Sequence, residues 1–238
     1  MVRYAQRTPK KLLYRTLEGS NTVDQGNLVA GQAPPTHLRL YSDAAFKKEE
    51  DDGHSVRGAL FVRCAGTDVT CMQTKEAYGH LIDTVAKKQR NVVRATFSAE
   101  LRGAGDTLDK AFILAQTMHE IATGENSSTR ARHLHQHGGY AVPMCLYIDA
   151  YSVFAAITAT FIKMPADNGQ LVHLHFIREQ LDNGVLKALA WIDTRDMIAD
   201  GMTKGAVDRE ALHAAMDGII RMSHAHELWQ SQAQSSSK

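Results

Sequence analysis

Residues 145–157, CLYIDAYSVFAAI, run from an apolar strand into an apolar helix through a single acid, Asp149. A strand that feeds directly into a helix is the repeating step of sheets covered by helical crossovers. A carboxylate at a strand tip can be a turn residue, a helix cap or a reactive group, and the residue alone does not choose among them.

Working upstream, HLRLYSDAAF (37–46) alternates, with Leu38, Leu40 and Ser42 on one face and Arg39, Tyr41 and Asp43 on the other. SVRGALFVRCAG (55–66) is a second strand, and a third falls within residues 68–88. From Thr96 the period changes: Leu101, Ala104, Leu108, Ala111, Ala115, Met118 and Ala122 recur at threes and fours, a helical stripe stopping before Gly124. Residues 125–140 read as a polar loop with a helical turn. Downstream, HLHFIREQLDNG (173–184) is helical, VLKALAWID (185–193) is a strand, and TRDMIADGMTK (194–204) opens another helix. A last amphipathic helix is predicted over residues 207–229, before a disordered tail at 230–238. Residues 1–36 read as an appendage to the domain at 37–229. This order of elements predicts an α/β fold with a mixed sheet.

The chain has 238 residues, 44% of them hydrophobic, enough for one substantial core, and 27 Lys and Arg against 26 Asp and Glu. Any nucleic-acid affinity must therefore come from a local face. Three cysteines without metal-finger spacing argue against a disulfide framework and for an intracellular setting, in the cytoplasm or nucleus. No signal-peptide pattern or membrane-length apolar run is present. GxSxG, HExxH and P-loop motifs are absent as well, so the chemistry must come from other groups.

Four acids punctuate the elements: Asp43 and Asp149 at strand ends, Glu100 at the start of the long helix, and Asp200 after the last strand of the domain. Sites in sheets with crossovers form outside the strand ends, where such acids can converge. Packed carboxylates raise one another's pKa and either hold protons or recruit hard divalent cations such as Mg²⁺. Taken singly, each acid is more often a cap or turn residue. Asp193 fits an N-cap, with Asp196 three residues later in a capping-box arrangement. His133, His135 and His137 read as residues of a polar loop. Lys87, Lys88, Arg90, Arg94 and Lys204 are candidate phosphate contacts.

The segments YSDAAF (41–46), KKQRNVVRATFSAELRGAG (87–105), LYIDAYSVFAAI (146–157) and HFIREQLDNGVLKALAWIDTRDMIADGMTKG (175–205) follow one another in a family order. The pattern resembles the ribonuclease H domain of reverse-transcriptase polyproteins of Copia-type (Ty1-like) retrotransposons. HFIRE, and IAD followed by MTK, are its most specific pieces, and KKLLYRTLEGS (10–20) resembles the link to the polymerase domain. The resemblance implies an RNase H-like fold with a mixed five-stranded sheet and helices on both faces. It also implies a metal-binding tetrad of Asp43, Glu100, Asp149 and Asp200 that holds two Mg²⁺, replaceable by Mn²⁺. The implied activity is endonucleolytic hydrolysis of the RNA strand of RNA–DNA hybrids, beside a polymerase domain of the same polyprotein. Two departures from the family pattern stand out, since ATFSAE keeps one of two usual acids and Ala150 replaces a usual Asn, and the IDTRD loop lacks the His often found there in cellular ribonucleases H. A non-catalytic or degenerate module used as a binding surface, and a DNA-cleaving nuclease of the same superfamily, are the alternatives.

Overall fold

The computed structural model describes residues 11–14, 17, 35–46, 54–89, 93, 95–205 and 208–235. Strands β1 (Thr36–Ala45), β2 (Val56–Ala65), β3 (Glu76–Lys88), β4 (Met144–Ile148), β5 (Ala188–Ile192), β6 (Ile219–Arg221) and β7 (His226–Trp229) form one sheet in the order β6-β3-β2-β1-β4-β5-β7. β1, β4 and β5 run parallel, and the other neighbours are antiparallel.

Seven strands stand where five were expected. The two extra ones come from residues 207–229, predicted as a single helix. Its helical part is confined to α7 (Glu210–Met216), after which Gly218, at φ 79°, turns the chain into β6 and β7. Strands of three and four residues are too short to announce themselves by alternation.

The other helices are α1 (Val69–Met72), α2 (Thr96–Thr123), α3 (Ser128–His137), α4 (Tyr151–Thr158), α5 (Leu171–Asp182), α6 (Asp200–Thr203) and α8 (Gln232–Ser235). The predicted stripe of α2 is fully buried from Leu101 to Ala115, turns outward near Met118, and ends at Gly124 with φ 75°. With α4 and α5 it covers Leu38, Leu40, Phe61, Leu146 and Ile148 on one face of the sheet. On the other face Tyr41, Leu60, Val62, Tyr147 and Ala190 pack against Met197, Ile198, Ala199 and Ala215. The alternation of β1 therefore divides its side chains between two cores, as in strands covered on both sides.

The segments read as loop and tail carry structure, and so does the stretch between β2 and β3. Residues 125–140 contain α3, whose Leu134 is wholly buried in the first core. The tail docks as α8, where Gln234 donates to Leu181 O and Leu186 O, and Ser231 to Asp182. The stretch 66–80 carries α1, whose carbonyls accept from two buried side chains: Cys71 O from Arg39 (2.7 Å) and Met72 O from Tyr147 (2.6 Å). Of the N-terminal appendage, Leu13 N donates to Met216 O and Tyr14 OH to Leu81 O, so this piece lies against α7 and β3. Among the described residues no helix is long and apolar enough to cross a membrane.

Candidate metal centre

β1 and β4 are adjacent and parallel, and Ser42 pairs with Ile148. The next residue on each strand is an acid, so the register itself sets Asp43 beside Asp149. Asp200, the first residue of α6, arrives behind the buried run Met197–Ile198–Ala199. One carboxylate oxygen from each of Asp43, Asp149 and Asp200 lies within 4.8 Å of the others, an arrangement that could hold a metal ion. Asp43 is almost wholly buried, and its Oδ1 has no hydrogen-bond partner.

Glu100 stands in the first turns of α2, also buried. Its Oε2 accepts from Ala44 N at 3.0 Å, one residue beyond Asp43. Glu100 and Asp149 line one cleft of about 620 Å³ together with Ala150, Thr203 and Lys204. Burial, then the charges of Asp43 and Asp149, push the Glu100 carboxyl up to about 9. Burial, and Asp43 in turn, also raise Asp149, opposed by Lys204 and by the Thr194 side chain. Asp200 is pushed up to about 6 by burial and by Asp43, against the hydrogen bond it receives from Lys204. Burial works against the Lys204 ammonium, but Asp200, Asp43 and Asp149 hold its pKa above the ordinary lysine value. This mutual elevation is the behaviour of carboxylates crowded without sufficient counter-charge.

Three residues that the sequence did not single out position the acids. Thr203 donates its hydroxyl to Asp43 Oδ2. Trp191 on β5 donates its indole N–H to Asp149 O at 2.9 Å. Gly58 on β2, the register partner of Asp43, leaves room for α6: a Cβ there would meet Thr203 Cγ2 at 2.7 Å and Ala199 O at 3.0 Å. A glycine inside a strand is a sequence signal of close backbone approach, though not of what approaches.

The predicted helix at 194–204 is broken. A 3₁₀ turn at Thr194–Asp196 precedes α6, and Asp193 caps it through Arg195 N at 3.0 Å, as expected. Asp196 does not complete a capping box: its carboxylate accepts from His224 N (2.8 Å) and contacts His224 Nδ1 (2.9 Å), tying the turn to the β6–β7 connection. Lys88 is exposed at the end of β3; Ala86 pairs with Gly58, and Gly58 with Asp43, so this end of β3 is the acid end of the sheet. Arg94 and Arg90 lie outside the described residues. His133, His135 and His137 sit on α3, where His135 packs edge-on against Phe112 and His133 against His137. Among the described residues, the only group of three or more potential metal ligands is the aspartate triad.

No protein-family model, curated protein or solved structure matches this chain.

Proposed function

We propose that this protein is a metal-dependent ribonuclease H that hydrolyses the RNA strand of RNA–DNA hybrids. The observation that carries this reading is the meeting of Asp43, Asp149 and Asp200 within 4.8 Å at the ends of adjacent parallel strands. Those residues, with Glu100, are the ones the family resemblance designates.

The donor set suits hard divalent cations. It offers only carboxylate oxygens, one of them buried and unbonded on Asp43, and so favours Mg²⁺, with Mn²⁺ as a substitute, over metals that prefer nitrogen or sulfur. Two such ions would supply Lewis acidity to an attacking water and charge stabilisation to the departing 3′ oxygen. The chain's own part is to hold the acids. Thr203 fixes Asp43, Trp191 fixes the backbone of Asp149, and Glu100, pushed up to about 9, would exchange its proton for a bound cation. The cleft beside them, lined by Lys204, would receive the substrate strand, and the sequence adds Lys88 and Arg94 as candidate phosphate contacts. Hybrids would be selected by groove shape and 2′-hydroxyls, with little dependence on sequence. A polymerase domain of the same polyprotein is the natural partner.

Ala150 favours a second reading, a non-catalytic module that keeps the fold as a binding surface, because it lines the cleft without a polar group to grip substrate. The two readings separate in one assay, in which labelled RNA–DNA hybrid, double-stranded RNA and double-stranded DNA are each incubated with Mg²⁺, Mn²⁺ or chelator. Cleavage of the hybrid alone, dependent on metal and reduced at least ~100-fold in Asp149→Asn, is the expected result. Inert behaviour with both metals would leave the binding module as the better description.

A further inference from the structure

Lys204 stands among the acids where a cation belongs. Its Nζ is 2.5 Å from Asp200 Oδ1 and 3.6 Å from Asp43 Oδ1. Its charge also acts on Asp149 and Glu100, so all four acids feel this one ammonium. An exposed ion pair four residues apart on a helix contributes little, but this pair is not of that kind. Asp43 is 1% exposed, is anchored by Thr203, and cannot turn to solvent to escape its neighbours. The lysine can, because its side chain is 35% exposed and lines the open cleft.

We propose that Lys204 is a displaceable counter-ion, which neutralises the acid cluster in the ion-free protein and swings out toward the cleft when a divalent cation enters. The inference rests on the metal-dependent reading above and adds to it the group that the cation must displace. The side-chain type supports the exchange. An ammonium is a compact, strongly hydrated charge on a flexible four-carbon stem, whereas a guanidinium forks onto carboxylates in a fixed bidentate geometry and leaves less readily. Charge decides its direction: one positive charge facing several carboxylates is outcompeted by an ion carrying two at similar distances. The lysine thus lets the fold form without metal and sets a threshold that monovalent ions do not pass. It keeps its proton throughout, because the change is one of position.

The test is Mn²⁺ binding, followed by electron paramagnetic resonance and calorimetry, to the wild type, Lys204→Gln, Lys204→Arg and Asp149→Asn. Lys204→Gln is expected to bind Mn²⁺ about tenfold more tightly, because no cation has to be displaced from the acids. Lys204→Arg should bind no more tightly than the wild type. Ion-free Lys204→Gln should melt below the wild type, with the gap closing in saturating Mn²⁺. Unchanged or weaker Mn²⁺ binding in Lys204→Gln, beside normal binding by the wild type, would overturn the counter-ion alone. Absence of binding to every protein, or binding that Asp149→Asn leaves intact, would remove the metal-dependent reading and the counter-ion with it.

Discussion

Gly58 sets how near α6 can come to the sheet, and therefore how near Asp200 comes to Asp43. The contacts a Cβ would make involve the Ala199 carbonyl as well as the Thr203 methyl, so relief requires backbone movement. Gly58→Ala should cost roughly 1–3 kcal/mol of stability, as overpacking does, and lower Mn²⁺ affinity by separating the acids. Gly105→Ala is the control: a Cβ there meets nothing within 4 Å, and in a helix alanine is the better residue. Calorimetric Mn²⁺ titration of both variants checks this, and equal affinity in the two would show that α6 does not depend on the gap at Gly58. The difference between Asp43 and Gly58 marks what the sequence makes legible at this scale. Asp149 follows an apolar strand and Asp43 falls near the end of an alternating one, so both stand out along the chain. The gap at Gly58 shows only through Thr203 and its neighbours on α6, across 145 positions that no local pattern spans.

Among the elements, long periodic ones could be read and short ones could not. The stripe of α2 was visible because 28 residues repeat it many times, whereas α1, at four residues, completes barely one turn. Yet α1 explains a feature of β1 that periodicity left as an ordinary polar position. Arg39 is wholly buried, donates to Cys71 O and to His37 Nε2 (3.2 Å), and lies 5.7 Å from the Tyr147 ring centroid. His37 Nδ1 contacts Gly66 O at 2.8 Å, which assigns the proton to that nitrogen and leaves Nε2 to accept from Arg39. Taking a charge out of water costs several kcal/mol, which contacts to neutral groups such as these offset only in part. Cys71 O would keep a donor, because Thr74 Oγ1 also bonds it at 2.5 Å. Arg39→Met is therefore expected to melt at or above the wild-type temperature. A loss of more than ~4 °C in thermal denaturation, about 1 kcal/mol or more at this size, would mean that the guanidinium's contacts outweigh its desolvation.

For the whole molecule, two buried groups impose opposite pH dependences. Glu100, pushed up to about 9, binds its proton more tightly folded than unfolded, where a glutamate titrates near ~4.3. Its contribution to stability is complete below the unfolded value and is lost as pH rises through the folded one. Burial, together with the charge of Arg39, pushes His37 down to about 4, against ~6.5 unfolded. That contribution is complete above the unfolded value and is lost as pH falls through the folded one. In chelator these two contributions offset each other between pH ~4.3 and ~6.5, and stability should fall from there toward pH ~9. Melting curves across this range should show an alkaline decline that Glu100→Gln flattens and saturating Mg²⁺ offsets, while the same substitution uncovers the acid-side loss due to His37. An identical decline in Glu100→Gln would assign it to other groups.

The Thr203–Asp43 hydrogen bond joins residues 160 positions apart, and this distance along the chain has a consequence in time. A chain emerging from the ribosome completes β1, α2 and β4, with their three acids, before residues 200–204 have been made. The 51 residues added after Asp149 to reach Asp200 occupy roughly 3–10 s of synthesis at ~5–20 residues per second. Throughout that interval Asp43 lacks its latch, and the cluster lacks both its last carboxylate and its resident cation. Assembly of the centre is thus reserved for a chain whose translation has passed α6.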